Sequence, residues 1–318
     1  MKRILAGLLV FAMLFSLCGC GKTDDNTDEQ EDSQSGKEFT AAHASEYPYL
    51  EVIERSYQYA ELRYVTSIGS AYYVNEHSAP LLGHNIVGVT EDYTLFADGT
   101  VKYNPGNLSN PSDCGLTNIV EIEQGNINNH ADLIALRRDG TIYFTVDDDR
   151  YTNKFYHAES WTDIIAMSVE DHFMVGLKSN GTVVATGSNG DGQCDVEEWT
   201  DIIAIDAVYD SLSSATYGLK KNGTVISTKG GRDVSAWTDI VAIAGDSNFI
   251  IGLKADGTVV VSGEDRNGET KISGWTDIVA IQAYRGLSIG IKSDGTIVSA
   301  GDDYVISKYL KGVKLKTK

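Results

Sequence analysis

Beyond about residue 60 the chain breaks into short apolar runs separated by polar punctuation, and no stretch of ten residues keeps a helical period. One passage shows the pattern. Between Asp239 and Gly263 it reads "DIVAI", then "FIIGLK", then "TVVVSG". Asp-Gly or Asn-Gly separates the second run from the third. Its glycine takes a positive φ without steric cost, and Asp or Asn tolerates the same turn. This predicts three short strands per unit, the last two forming a hairpin. Runs of four to six apolar residues, rather than strict alternation, predict sheets covered on both faces.

The unit recurs. Trp161, Trp199, Trp237 and Trp275 open near-copies of Trp-Thr-Asp-Ile spaced by 38 residues. A turn marker extends the series through Asp98-Gly99-Thr100, Asp139-Gly140-Thr141, Asn180-Gly181-Thr182, Asn222-Gly223-Thr224, Asp256-Gly257-Thr258 and Asp294-Gly295-Thr296. An apolar pair keeps register with it, at Ile86-Val87, Ile119-Val120, Ile164-Ile165, Ile202-Ile203, Ile240-Val241 and Ile278-Val279. A repeat of this period means a solenoid, a propeller or an array. Without helices, small sheets packed face to face around an axis make a propeller. We therefore expect an all-β chain whose residues 46–318 form a β-propeller. About seven units of this length fit between Tyr59 and Leu315. Six are complete. "YLKGVKL" (Tyr309–Leu315) aligns on "WTDIVAI", and "YAELRYVTSIG" (Tyr59–Gly69) aligns on "LKADGTVVVSG". The expected closing blade is thus a composite of both chain ends, which removes open sheet edges.

The first residues are expected to lie outside the fold. Lys2 and Arg3 precede an apolar run, Ile4–Leu17, that is too short to span a bilayer and fits a signal peptide. Leu17-Cys18-Gly19-Cys20 resembles the bacterial lipoprotein box. That resemblance implies a signal peptide over 1–19, lipid on Cys20, and a protein held at the bacterial membrane facing outside the cytoplasm. Cys18 fits less well, because the bulky Leu17 precedes it. A plain secretory signal without lipid is the alternative. Residues 20–45 follow as an acidic, apolar-poor tether that cannot offset its ordering entropy and is expected to be disordered.

Charge narrows the partners. The formal net charge is −19, so the surface repels phosphate backbones and anionic head groups, and no basic stripe argues for nucleic acid. The membrane is expected to be met only through the N-terminal lipid. Cys114 and Cys194 belong to repeats two apart, beyond disulfide reach if repeats stack side by side, so free thiols are expected.

The repeat text carries a resemblance. "IAGDSNFIIGLKADGTVVVSGEDRNGE" and "VGLKSNGTVVATGSNGDGQ" resemble the repeats of the regulator of chromosome condensation family. They are most similar to its short-repeat bacterial branch, which includes a secreted propeller that inhibits β-lactamases. The resemblance spans roughly residues 59–316 and implies a propeller. The Gly-Asn-x-x-Gly-Gln loop of that family is intact at Gly187–Gln193 and degraded at Gly263–Glu269. The histidine that often follows the variable link is replaced by Phe173, Phe249 and Leu287, and the tryptophan before the loop glycine by Thr186, Ser262 and Ser299. Partner specificity therefore does not carry over.

Catalytic chemistry is sparse. The six histidines show no metal-ligand spacing, and there is neither a phosphate loop nor a nucleophile elbow. Asn189–Gln193 with Asp195 and Glu198 offers oxygen ligands, yet it lacks calcium-loop spacing and reads better as inter-blade loop chemistry. No metal or cofactor is expected. The recurring tryptophans read as packing between units, and the Asp after each Trp-Thr as a turn cap or a partner of a backbone N–H. What varies is the link between the first and second strands, on one rim of the ring. In the inhibitor-like branch that the repeats resemble, loops on one rim grip the partner, and that resemblance implies Asp171, His172, Tyr209, Asp210 and Asn248 as candidate protein-binding residues. Tyr284 and Arg285 join them, with Asn129 and His130 on a longer earlier link. The expected function is a non-catalytic, monomeric module that binds an envelope or extracellular protein, in its sharpest form as an inhibitor. The alternative is a carbohydrate-binding protein, hydrolase or lyase with its site at the central channel.

Overall fold

The computed structural model describes residues 49–56, 59–65, 71–74, 81–83, 85–90, 92–103, 112–127, 130–145, 158–170, 172–209, 213–284 and 286–301, with backbone alone for 49–83, 124–127 and 130–132. These residues form an all-β propeller of seven antiparallel sheets. The first holds β1 (Tyr49–Ser56), β2 (Tyr59–Val65), β3 (Ala71–Val74) and β4 (Leu81–Gly83). The second holds β5 (Ile86–Val89), β6 (Tyr93–Phe96), β7 (Val101–Tyr103) and β8 (Ser112–Asp113). Five three-stranded sheets follow. They are β9 (Ile119–Ile127), β10 (His130–Arg137) and β11 (Ile142–Phe144); β12 (Ile164–Val169), β13 (Phe173–Lys178) and β14 (Val183–Gly187); β15 (Ile202–Val208), β16 (Ala215–Lys220) and β17 (Val225–Ser227); β18 (Ile240–Asp246), β19 (Phe249–Lys254) and β20 (Val259–Gly263); and β21 (Ile278–Tyr284), β22 (Leu287–Lys292) and β23 (Ile297–Gly301). Helical structure among the described residues is a short 3-10 turn at Ala158–Ser160.

First strands of successive sheets lie side by side from β5 to β21, and β1 lies beside β21 while β2 lies beside β5. The first strands therefore surround the axis, and the first sheet closes the ring between the seventh and the second. That sheet differs from the expected composite. Tyr59–Val65 is an interior strand whose two edges pair with β1 and β3, so among the described residues the N-terminal segment supplies four strands of this sheet rather than its last strand alone. Tyr309–Leu315 lies outside the described residues, as do the signal, Cys20 and the tether.

Every sheet from the second onward is entered through one joint. Asn85, Asn118, Asp163, Asp201, Asp239 and Asp277 hold φ between 59° and 62°, and an isoleucine follows each. Among residues other than glycine, Asn and Asp enter this left-handed region most readily. The conformation turns the carbonyl toward the next hairpin, where Asp163 accepts from Ser179 N at 2.9 Å and Asp239 from Ala255 N at 2.9 Å. The main chain of the aspartate thus carries the role expected of its side chain.

The following isoleucine reaches backward. Ile164 N donates to Gly140 O of the preceding sheet at 3.1 Å, and Ile240 N to Gly223 O at 2.9 Å. Gly140 has φ +81°, and a Cβ there would sit 3.0 Å from the Asp163 and Ile164 nitrogens. The turn glycine is required both for its dihedral and for this close approach. Beside it, Asp139 Oδ1 accepts from Thr141 N (3.0 Å) and Thr141 Oγ1 (2.7 Å). These bonds, the side-chain one foremost, hold the Asp139 carboxyl below its usual range.

Burial explains the apolar runs. Second strands are covered on both faces: Phe173, Met174, Val175 and Leu177 of β13 are 0% exposed. Each such side chain contributes about 1.5–3 kcal/mol. The tryptophans fill the space between sheets. Trp161 clusters with Ile134, Leu136 and Ile142 of the preceding sheet and with Ile164 of its own. Its ring lies over Gly176, where a Cβ would meet Cζ3 at 2.8 Å. Gly218, Gly252 and Gly290 lie the same way under Trp199, Trp237 and Trp275, so the glycine inside "VGLK" and its copies is the seat of the ring.

Candidate functional site

The antiparallel meander puts all first-to-second links on one rim and all Asp-Gly-Thr turns on the other. The third strand locks the link rim in place. Gly187, Gly263 and Gly301 end their strands at φ +112°, +136° and +124°, and a Cβ on any of them would overlap the carbonyl of His172, Asn248 or Gly286 in the link. The inter-sheet loop then leans on the next sheet. Asp191 Oδ2 accepts from Ser214 N at 2.9 Å, and Thr216 Oγ1 donates to Gln193 O at 2.6 Å. Link and loop together make the rim surface.

His172 and Tyr209 come from links of adjacent sheets, and both are half-buried. Their rings meet edge to face with centroids 4.9 Å apart and planes at 88°. Such pairs add about 0.5–1.5 kcal/mol beyond buried area. Two links expected to vary independently are therefore joined across a sheet boundary. Tyr284 ends β21 at the same rim and is half-buried.

Asn248 corrects the expectation of an exposed contact. It is 5% exposed, and its Nδ2 donates to Glu264 O (2.9 Å) and Glu269 Oε1 (2.6 Å). Asn248 braces the loop, because a buried amide needs its partners. His130 also differs in setting. It is the first residue of β10 and pairs with Ile127, so the longer link is an extension of β9 and β10. Asn129, Asp171, Asp210 and Arg285 lie outside the described residues.

Glu269 went unread in the sequence. The Gly263–Glu269 loop, expected to be degraded, keeps its anchor. Glu269 is 0% exposed, and its carboxylate also accepts from Arg266 N (3.1 Å) and Asn267 N (2.5 Å). Burial pushes this carboxyl up, but hydrogen bonds from its own backbone, Asn248, Asn267 and Arg266 outweigh it and hold it below the usual glutamate value. Gln193 takes the matching place, its Oε1 accepting from Asp191 N at 3.0 Å.

A second group was missed at the centre. Buried polar side chains on the first strands reach the backbone of the next sheet. Met167 N donates to Glu121 Oε2 (3.4 Å), Ala207 N to Ser168 Oγ (2.9 Å), Gly245 N to Asp206 Oδ2 (2.5 Å) and Gly286 N to Asp246 Oδ2 (2.6 Å). The signal was present: each interrupts an apolar first strand, as in "IIAMSV" and "IIAIDAV". These carboxylates join sheets to one another, as buried charges require.

Ligand oxygens in the 189–195 loop are engaged likewise. Asn189 Nδ2 donates to Asp195 Oδ1 (2.7 Å), and Asn189 Oδ1 accepts from Cys194 N (2.8 Å). Among the described residues, no group of three or more His, Cys, Asp and Glu side chains is placed to hold a metal ion. Cys114 and Cys194 are half-buried free thiols, and burial, then Asp195 and Glu197, push the Cys194 thiol up to about 11. No described helix is long and apolar enough to cross a membrane.

No protein-family model and no curated protein matches the sequence. Solved structures do. The CRINKLY WD40 ectodomain of the receptor kinase ACR4 from Arabidopsis thaliana aligns over 79% of this chain and 94% of its own, with 15% identity and a TM-score of 0.54. The ectodomain of the Physcomitrella patens receptor kinase CR4 aligns over 62% of this chain at 19% identity and a TM-score of 0.48. There the match spans only 56% of the other chain. Yeast RCC1 (Prp20) aligns over 81% of this chain and 73% of its own, at 11% identity and a TM-score of 0.44. At these identities the ACR4 likeness speaks to fold and leaves activity open; the chain shares the propeller plan.

Proposed function

We propose that the ring is a non-catalytic protein-binding module that grips an envelope or extracellular protein through its link rim. In its sharpest form it inhibits an enzyme there. Lipid on Cys20 holds it at the bacterial membrane, and residues 21–45 carry the ring away from the bilayer. The observation that carries this reading is the His172–Tyr209 contact, which joins the variable links of two sheets into one surface on a rigid scaffold. Glu121, Asp206 and Asp246 on the first strands weaken the case for a central catalytic site, since their carboxylates bond backbone N–H groups of the next sheet.

Co-purification tests the rim. The full-length lipidated protein and its Tyr209→Ala/Tyr284→Ala/Arg285→Ala variant are isolated from solubilised membranes under matched conditions. Loss of anchors of this kind is expected to lower partner retention by about tenfold or more. A partner retained equally by both contradicts the rim assignment.

A further inference from the structure

The chain contains four Asn-Gly pairs: Asn180-Gly181, Asn189-Gly190, Asn222-Gly223 and Asn267-Gly268. Glycine after asparagine lets a main-chain nitrogen reach the side-chain amide, because no Cβ stands in the way. The four pairs are alike in sequence and unlike in structure. At Asn180 and Asn222 the amide oxygen accepts two bonds, from N and Oγ1 of Thr182 (3.0 and 2.7 Å) and of Thr224 (3.1 and 2.8 Å). The attacking N–H is engaged too, Gly181 N donating to Lys178 O and Gly223 N to Lys220 O, both at 2.9 Å. Asn189 is tied at both ends of its amide, to Asp195 Oδ1 and Cys194 N. Asn267 differs. It is exposed, and among the described residues neither its side-chain amide nor the Gly268 N–H has a hydrogen-bond partner. The atoms nearest to a Cβ placed on Gly268 belong to Lys271, a flexible and exposed side chain.

We propose that Asn267-Gly268 is a self-modifying site, at which the folded chain converts Asn267 to aspartate and isoaspartate. Hydroxide removes the Gly268 N–H proton, and the nitrogen forms a bond to Asn267 Cγ. The Cγ–Nδ2 bond breaks, and the nitrogen leaves as ammonia with a proton from water. Water then opens the cyclic imide. Opening at the side-chain carbonyl leaves an aspartate in an ordinary main chain. Opening at the main-chain carbonyl leaves the chain running through Cβ and Cγ, as isoaspartate. No oxidant or reductant is needed. The place gives the change a consequence. Asn267 N donates to the buried Glu269 carboxylate at 2.5 Å, and Asn267 Nδ2 lies 2.9 Å from where a Cβ on Gly286 would stand in the neighbouring link. The isoaspartyl linkage lengthens the main chain between that N–H and Glu269. Both products add a carboxylate to a loop that already carries Glu264, Asp265 and Glu269. The modification therefore loosens the Glu269 anchor of the link rim.

Peptide mapping of the full-length protein, purified in detergent and held in warm, mildly alkaline buffer, tests the assignment. Each Asn-Gly peptide is followed for the amide-to-acid mass change and for methylation by a protein isoaspartate methyltransferase. In the folded protein Asn267 should convert about tenfold faster than Asn189, whose two bonds must open first, and Asn180 and Asn222 should be slower still. In urea, where native bonds no longer protect any pair, the four rates should converge to within about threefold. Asn267→Gln alters an exposed side chain without hydrogen bonds, so the fresh variant should melt as wild type does. It should lack the fast conversion, because a glutamine would need a larger ring. After equal incubation wild type should melt below Asn267→Gln. Equal folded-state rates at the four pairs, or faster conversion at Asn189 than at Asn267, overturns the proposal. So does a lead of Asn267 that persists in urea, since it would come from the neighbouring sequence and not from the fold. Equal melting of the two incubated proteins overturns the loosening of the rim anchor.

Discussion

At the scale of single residues, close approach explains why glycine stands where it does. Gly252 lies under Trp237, and a Cβ there would come within 2.7 Å of the ring. Gly190 has open space around its Cβ position and no positive φ. Gly252→Ala should therefore destabilise the protein by about 1–3 kcal/mol through overpacking, while Gly190→Ala should change stability by less than about 0.5 kcal/mol. Denaturant titration of both variants checks the contrast. The tryptophan was legible in the sequence because it recurs. Its seat was not, because the glycine of "IGLK" is indistinguishable from a turn glycine until the ring is placed over it. The aspartate in Trp-Thr-Asp was read as a side-chain device for a similar reason, since a positive φ leaves no mark in sequence beyond the choice of Asn or Asp.

At the scale of elements, the inter-sheet loops decide how the rim is held. Three donors converge on the buried Glu269 carboxylate: Asn248 Nδ2, Arg266 N and Asn267 N. Glu269→Gln would turn one acceptor into a donor facing a donor, at a cost of about 1–3 kcal/mol. Its pH dependence has a definite sign. The folded-state value is lowered, so the contribution is present above the unfolded glutamate value and is lost as pH falls through the folded one. Wild type should lose stability toward acid pH faster than Glu269→Gln, and the two curves should converge at low pH, as denaturation measured between neutral and acid pH would show. The sequence showed this loop as a damaged motif. Only the burial of Glu269 reveals that Glu takes the place Gln193 takes two sheets earlier. Asn248 was assigned to the surface on the same grounds, because a link position says nothing about which way the side chain turns. Strand order within the repeats was legible from apolar runs and turn markers. The first sheet was not, since its strands have lost the Asp-Gly turn that marks the others.

At the scale of the whole molecule, the ring is held together by features that repeat and distinguished by features that do not. Isoleucine N–H groups bond the preceding turn glycines, tryptophans fill the seams, and polar side chains on the first strands bond the next sheet. These contacts engage Glu121, Ser168, Asp206 and Asp246 in joining the sheets, while at the link rim His172 and Tyr209 meet across a seam. The propeller itself could be read from period and composition. The direction in which it faces a partner could not, because recognition depends on side chains from separate repeats meeting in space. The most direct test places a photo-activatable cross-linking residue in living cells at position 209 or 284 on the link rim, and at position 256 or 294 on the turn rim. The account predicts one discrete protein adduct from both link-rim positions and none from the turn rim. The same adduct from positions 256 and 294, with none from 209 and 284, would contradict it.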